Sequence, residues 1–254
     1  NLSGTCLVSP SVIPKWQEVG EPEPLIPLPS FLPLQTIPIM PKTALDAPQV
    51  ISMLQEVCQA IIAAEPLLTD ADRALGDGDH GLGMQRGMTA ALEKLGALDP
   101  ESTGIDKAFS TVGMAMMSTM GGASGALFGT LFRNGGKAIA GNSHFGTAEL
   151  AELLKVGLEG VMSRGGAKPG DKTMIDALHP AAEKALQEAA AGSPFAEAIN
   201  AVAAAGEAGR DASENLIATM GRAKTLGEKS LGKPDAGACS VAIILRTMAE
   251  FSAK

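Results

Sequence analysis

A helical repeat of apolar residues runs through most of this chain and restricts its fold more than any other feature. Between residues 49 and 68, Ile51, Leu54, Cys58 and Ile61 follow one another at spacings of three and four. Strand-like alternation is nearly absent, and the one short candidate, "SVAIIL", continues into a sequence that favours a helix. Further helical segments are predicted at roughly residues 82–96, 104–119, 123–140, 147–163, 173–191, 195–210, 212–220 and 236–252.

The predicted helices are separated by short breaks of glycine, proline and polar residues, such as "GNSHFG" and "RGGAKPGD". Short connections place successive helices side by side in opposite directions. We therefore expect a single all-α domain of about eight helices with antiparallel neighbours.

Residues 1–41 differ from the rest of the chain because they hold nine of its sixteen prolines. Proline lacks a backbone N–H and disfavours a helix before it, so this segment should be extended or irregular. Its prolines also rule out a stable membrane helix, and it lacks the basic N-terminal region that a targeting segment would have. We interpret residues 1–41 as a leader, a linker or a fusion remnant, and residues 42–254 as the folded domain.

The composition excludes several classes of function. The net charge is −8, no Lys/Arg cluster is present, and aromatic residues make up 3% of the chain. A nucleic-acid partner or an anionic membrane surface is therefore not expected. Three widely spaced cysteines form no disulfide framework and indicate free thiols in a reducing compartment, which predicts a cytoplasmic protein.

The stretch "DRALGDGDHGLGMQRG" brings Asp72, Asp77 and Asp79 close together in the sequence. Ligands that offer only oxygen suit a hard cation, Mg²⁺ or Ca²⁺. A calcium EF-hand loop beginning at Asp77 fails, because Leu82 and Met88 stand where its glycine and its glutamate are needed. The alternative interpretation is that these aspartates are surface charges and helix caps.

Glycine-rich "MGGASGALFG", at residues 120–129, begins a helix and includes the hydroxyl of Ser124. Free N–H groups at a helix start bind phosphate, although close packing between helices would also explain the small residues. Arg222, Lys172 and Thr173 are further candidate phosphate partners, and Asp235 is a candidate cap or ligand contact. For these residues an ordinary surface loop is the alternative.

Four motifs occur in a recognisable order: "LGDGDHGLGMQRG", "GGASGALFGT", "GDKTMIDAL" and "GRAKTLGEKSLGKPDAGA". Together they resemble the L subunit, or nucleotide-binding domain, of the dihydroxyacetone kinases, over about residues 47–254. The resemblance implies a barrel of about eight antiparallel helices. It also implies that ADP or ATP binds at one end of the barrel, with two Mg²⁺ ions between its phosphates and the three aspartates.

Residue roles follow from the resemblance by position in the motifs. The metal ligands would be Asp72, Asp77 and Asp79, which together with Arg222 would form the catalytic set. The nucleotide would be bound by His80, Gly81, Leu82, Gly83, Ala123, Ser124, Gly165, Thr173, Met174, Arg222, Asp235, Ala236 and Gly237.

The resemblance also implies a reaction and its partners. Dihydroxyacetone would be held on a separate K subunit through a histidine there, so none of His80, His144 and His179 should carry the substrate. A phosphotransferase-system protein would recharge the nucleotide. The alternatives are the C-terminal domain of an ATP-dependent kinase of dihydroxyacetone or a related ketose, and an ADP-containing module that binds a transcription regulator.

Overall fold

Nine α-helices account for most of residues 43–254, the part of the chain that this computed structural model describes. The interpretation of residues 1–41 falls outside that range. Within it no strand is present, and one isolated antiparallel bridge joins Leu45 to Phe145. The helices are α1 (Ala47–Ala63), α2 (Glu65–Arg73), α3 (His80–Gly96), α4 (Ile105–Thr119), α5 (Gly122–Ala138), α6 (Thr147–Gly165), α7 (Ile175–Ala191), α8 (Phe195–Ala212) and α9 (Ala236–Ser252).

Eight of these helices close into a ring. α1 packs on α3, each helix from α3 to α8 packs on the next one in the chain, and α9 packs back on α1. The short helix α2 lies outside the ring against α3 and α9. This arrangement confirms the predicted all-α barrel of eight antiparallel helices.

Contacts at the two ends of the ring give the direction of its helices. The Leu45–Phe145 bridge brings the residues before α1 and α6 together, and Phe145 packs its ring on Phe109 of α4 and Phe195 of α8. Helices α1, α4, α6 and α8 therefore begin at this end. The starts of α3, α5, α7 and α9 meet at the opposite end, around a shared cavity.

The first predicted helix is divided in two by a bend at Ala64. α1 begins with a capping box, in which the Asp46 carboxylate accepts from the amide of Gln49 at 2.9 Å. Pro66 lies in the first turn of α2, where its missing N–H is tolerated. No single helix between residues 43 and 254 is long and apolar enough to cross a membrane; α1 and α2 pass that test only together, across a bend of 53°.

The prediction of a helix at residues 212–220 is wrong. α8 ends at Ala212, a single 3₁₀ turn follows at Ser213–Asn215, and Leu216 is extended. The reason is tertiary, because Thr219 bonds to Asp171 on another loop through both its amide and its hydroxyl. A second 3₁₀ stretch, Arg222–Ser230, is kinked at Gly227, which has a φ of 54°.

Candidate functional site

Four helix starts surround a cavity of about 290 Å³ at one end of the barrel. Its lining includes the first residues of α3, α5 and α9, and Met174, which directly precedes α7. The first N–H groups of a helix have no partner within the helix, and its dipole is positive there. Four such ends directed at one space favour an anion with several oxygens, such as a phosphate chain.

Three aspartates lie on one side of this cavity. One carboxylate oxygen from each of Asp72, Asp77 and Asp79 lies within 4.8 Å of the others, and Asp72 also accepts from the amide of His80 at 3.1 Å. The connection between α2 and α3 turns sharply at Gly78, whose φ of +75° suits glycine. At Gly76 a Cβ would lie 2.6 Å from a side-chain oxygen of Asp72, so a larger residue here would displace that carboxylate. The prediction that the three carboxylates share one site is thereby met in geometry, while their role as metal ligands stays a prediction.

Arg222, from a distant part of the chain, reaches residues 74–79 between α2 and α3, which we name the acidic loop. Its guanidinium bonds to Asp77 and lies 3.8 Å from Asp79. The side chain is largely exposed and belongs to the 3₁₀ stretch that follows Gly221. An exposed cation is thus placed against two of the three carboxylates, on the open side of the cavity.

His80 connects three of the helices that form the cavity. It is 7% exposed, its Nδ1 lies 3.3 Å from the Ser124 hydroxyl on α5, and its Nε2 lies 2.8 Å from the Ser240 hydroxyl on α9. Burial lowers the pKa of the imidazole, although the charges of Asp72 and Asp79 act in the opposite direction. A ring that is bonded on both nitrogens orients Ser124 and is not free to act as a nucleophile.

The turn before α5 exposes backbone N–H groups to the cavity. Gly121 and Gly122 have φ values of 73° and 62°, and a Cβ on either would meet nothing within 4 Å. Glycine is therefore favoured at these two positions by the backbone conformation, and a side chain would meet no steric clash there. Arg86 secures the turn by donating to the carbonyl of Met120 at 3.0 Å.

The starts of α7 and α9 are held by half-buried carboxylates. Asp176 accepts from the amides of Thr173 at 2.7 Å and Gly170 at 2.6 Å. Asp235 caps α9 by accepting from the amide of Ala238 at 2.8 Å. Burial raises the pKa of Asp235 to about 7, because the charged carboxylate loses water there.

Most of the residues predicted for the site line this one cavity. The lining includes Asp72, Asp77, Asp79, His80, Gly83, Ala123, Ser124, Thr173, Met174, Arg222, Asp235, Ala236 and Gly237. Three predicted nucleotide contacts are not among the lining residues. Gly81 faces α2, where a Cβ would lie 2.2 Å from the hydroxyl of Thr69; Leu82 is 48% exposed; and Gly165 ends α6 beside Leu127. The roles of these three residues stay predictions.

Other lining residues were not foreseen from the sequence. Arg86, Met120 and Met220 reach the cavity. Lys172, a candidate phosphate partner from the sequence, also lines it, but its ammonium is turned away toward two carbonyl oxygens. Arg86 lies two turns into α3, and its position on the helix surface would have been the only indication.

Comparison with known proteins gives consistent results. Residues 74–250 match the model of the DAK2 domain. The chain is 35% identical over 206 residues to the ADP-binding subunit DhaL of the PEP-dependent dihydroxyacetone kinase of Escherichia coli, which covers 81% of this chain and 97% of that subunit. It is 34% identical to D-erythrulose kinase of Mycolicibacterium smegmatis, over 76% of this chain and 33% of that enzyme.

A solved structure resembles the fold. Dihydroxyacetone kinase from C. freundii, in complex with AMP-PNP and Mg²⁺, superposes with a TM-score of 0.63 at 25% identity, over 90% of this chain and 38% of that one. The domain match covers more than half of the sequence, and the likeness to the bacterial subunit extends over nearly all of its length. This chain belongs to the DAK2 domain family.

Proposed function

We propose that this chain is the nucleotide-binding subunit of a dihydroxyacetone kinase. It would hold ADP or ATP with Mg²⁺ and pass a phosphoryl group to dihydroxyacetone bound on a partner K subunit. The observation that carries the proposal is the placement of three carboxylates and Arg222 at a cavity surrounded by four helix starts. The name of the Escherichia coli relative, an ADP-binding subunit of such a kinase, supports it.

The donor set fits magnesium. Asp72, Asp77 and Asp79 offer only oxygen atoms, which a hard cation prefers, and water and phosphate oxygens can complete the shell. Three adjacent carboxylates repel one another, and two divalent cations would offset both their charge and that of a diphosphate. When bound, Mg²⁺ supplies charge neutralisation to the phosphoryl group and fixes its orientation.

The remaining residues position and neutralise, which is most of what phosphoryl transfer requires of a protein. Backbone N–H groups at Ala123 and Ser124 can bind phosphate oxygens, and the Ser124 hydroxyl is oriented by His80. Arg222 is close enough to the aspartates to contact the transferring group from the open side.

Substrate attachment to a histidine of this chain is not part of the proposal. Both ring nitrogens of His80 are engaged, and the other two histidines lie away from the cavity lining. His144 bonds to Ser143, and His179 lies 3.6 Å from Glu183 on α7. These positions support the expectation that the ketose is held elsewhere, on the K subunit.

A separate subunit recharged by a phosphotransferase-system protein is the preferred arrangement, because the chain covers 97% of the Escherichia coli subunit. The alternative is the nucleotide-binding domain of an ATP-dependent ketose kinase. The match to D-erythrulose kinase, over 33% of that enzyme, is the observation that supports this alternative. Binding of a transcription regulator by the ADP-containing protein is a further, separate prediction.

The test is to purify the full chain, dialyse it against Mg²⁺ buffer without nucleotide, and measure the nucleotide retained. Retained ADP, together with phosphoryl transfer to dihydroxyacetone only when K subunit and phosphotransferase-system donor are added, supports the separate subunit. Exchange of ATP with turnover that needs only the K protein supports the ATP-dependent alternative. Absence of nucleotide binding and of transfer in both assays would contradict the proposal.

A further inference from the structure

Lys172 is buried beside the cavity, with 2% of its surface exposed. Its Nζ donates to the backbone carbonyl of Ser213 at 2.6 Å and to that of Lys233 at 2.7 Å. Burial lowers the pKa of the ammonium, while the charges of Asp235, Glu214 and Asp176 act in the opposite direction. An amino group that has lost its water is thus satisfied by two main-chain oxygens from another part of the chain.

The backbone of Lys172 indicates that these contacts are needed. Its φ is +59°, and it is the one non-glycine residue with a positive φ in the described part of the chain. Glycine adopts this conformation without strain and lysine does not. The two hydrogen bonds of the side chain therefore offset a backbone strain that a glycine would avoid.

The two carbonyls belong to the two ends of one loop. We name residues 214–232, which carry Arg222, the Arg222 segment. The two ends of this segment meet at a point that we name its neck, where the amide of Gly232 donates to the carbonyl of Glu214 at 2.8 Å. Just outside the segment, the amide of Asp235 donates to the Ser213 hydroxyl at 3.1 Å. Lys172 spans both sides of this neck, because Ser213 precedes the segment and Lys233 follows it.

A second contact anchors the same segment to the same loop. The hydroxyl of Thr219 bonds to the Asp171 carboxylate at 2.6 Å, and its amide to the Asp171 carbonyl at 3.3 Å. Beyond these ties the segment is largely exposed, and Arg222 extends from it to Asp77. Lys172 is therefore connected to the acidic loop by hydrogen bonds that run through the Arg222 segment.

We propose that Lys172 is a positioning residue that closes the neck of the Arg222 segment and so holds Arg222 over the aspartates. It acts through Arg222 and not through contact with phosphate, because its donors point to Ser213 and Lys233. The mechanical part of the proposal stands on these contacts alone. Its consequence for catalysis rests on the function proposed above.

The mechanical part is tested by limited trypsin digestion of the full chain. Lys172→Met keeps the length of the side chain and removes its donors, and Lys168→Met is the matched control, an exposed lysine on the same loop. Cleavage after Arg222, Lys224 and Lys229, all exposed, should become on the order of tenfold faster in Lys172→Met alone. Hydrogen exchange at the Gly232 and Thr219 amides should accelerate with it, whereas unchanged digestion and exchange would overturn the proposal.

The catalytic consequence is tested by a double-mutant cycle in the reconstituted kinase, with dihydroxyacetone as substrate. Lys172→Met should lower kcat more than it changes KM, and in an Arg222→Gln background it should cause no further loss. Losses that multiply, with trypsin digestion unchanged, would mean that Lys172 contacts the phosphate directly and would contradict the proposal. Faster digestion without any effect of Arg222→Gln on turnover would support the neck closure and contradict the catalytic role of Arg222.

If Lys172→Met does not fold, Lys172→Gly provides the second variant. It removes the same donors and relieves the backbone strain, because glycine adopts a positive φ freely. Digestion within the Arg222 segment should again accelerate, and its effect on turnover should again vanish in the Arg222→Gln background. A Lys172→Gly protein with unchanged digestion would count against the proposal.

Discussion

Asp77 and Arg222 are 145 positions apart in the sequence and form an ion pair at the cavity. In an exposed position such a pair contributes little to stability, about 0–1 kcal/mol. Its importance lies in charge, because an arginine held against the acidic loop can transfer its contact to a phosphate. Single residues of this site should therefore affect binding far more than folding.

Asp77→Asn should separate these two effects. It removes one charge from the site proposed to hold Mg²⁺, so affinity for Mg-ADP should fall by orders of magnitude, while apo stability should change by about 1 kcal/mol or less. Thermal melting with and without Mg-ADP measures this, since ligand at a hundred times its Kd stabilises by about 2.7 kcal/mol. Asp70→Asn, on the exposed side of α2, is the control and should keep the full stabilisation. Equal stabilisation of Asp77→Asn and wild type by Mg-ADP would contradict the metal site.

Asp235 predicts a pH dependence of folding. Its pKa is raised to about 7 in the folded protein from an ordinary value of 3.8, so the folded state holds the proton more tightly than the unfolded one. Its contribution to the free energy of unfolding is therefore present at low pH and is lost between about pH 4 and pH 7. Asp235→Asn keeps an N-cap acceptor and should remove that decline, as measured by urea unfolding at pH 5 and pH 8 without nucleotide. The exposed Glu159→Gln should leave it unchanged, and a decline that persists in Asp235→Asn would disprove its origin at this residue.

Individual site residues differ in how far the sequence could predict them. The aspartates and the glycine-rich turn were predictable because short stretches carry their chemistry, oxygen ligands in one case and free N–H groups in the other. Lys172 was a candidate phosphate partner, but its partners come from residues 213 and 233, and no local pattern reports such a contact. Gly81 lies in the same sequence motif as the aspartates and yet faces α2, because the direction of a helix surface depends on packing.

At the scale of the elements, close packing of α4 on α5 positions the glycine-rich turn. A Cβ on Gly113 would lie 2.7 Å from the amide of Arg133 and from the carbonyl of Gly129, and both are backbone atoms that cannot move aside. Periodicity predicted both helices, since it reports which face is apolar. It did not predict the break at Ala64, where Pro66 lacks the N–H that would continue α1. Nor did it predict the extended chain at Leu216, which the tertiary contact of Thr219 with Asp171 decides.

Gly113→Ala should force α4 and α5 apart and cost about 1–3 kcal/mol of stability. Because α5 carries Ala123 and Ser124, affinity for Mg-ADP should fall as well, beyond the loss expected from stability alone. Gly96→Ala is the matched control: it lies at the exposed end of α3 with nothing within 4 Å of the added Cβ, and should gain about 0.4–1 kcal/mol. Urea unfolding and nucleotide titration of both variants provide the measurement, and an unperturbed Gly113→Ala protein would show that the helix contact can relax.

At the scale of the whole molecule, the site depends on the ring. Each helix that begins at the cavity alternates with one that begins at the far end, so four positive helix ends gather on one side. No single helix could create that concentration of partial charge. The all-α class and the order of the helices were predictable from the pattern, but closure of α9 on α1 was expected only through the family resemblance.

Deletion of residues 1–41 is expected to leave the folded domain unchanged. The nine prolines of this segment cannot join a hydrogen-bonded helix, and the DAK2 domain match begins only at residue 74. Melting temperature and affinity for Mg-ADP should equal those of the full chain within error. A large drop in either would show that the segment belongs to the fold.

Because α9 packs on α1, the last helix of the chain is a neighbour of the first. The same ring could therefore form from a chain that begins at another helix, and the domain should tolerate circular permutation. The ammonium of Lys254 donates to the carboxylate of Glu56 on α1 at 2.6 Å. From Glu56 the start of α1 is nine residues, about 14 Å, away along the helix. A glycine–serine linker of about eight residues spans that distance. A permutant of residues 43–254 opened after Gly141, at the end remote from the cavity, should therefore fold and bind Mg-ADP with native affinity. Opening the chain at Gly221 instead should leave the helical circular-dichroism signal and abolish turnover, since Arg222 would then stand at a free end.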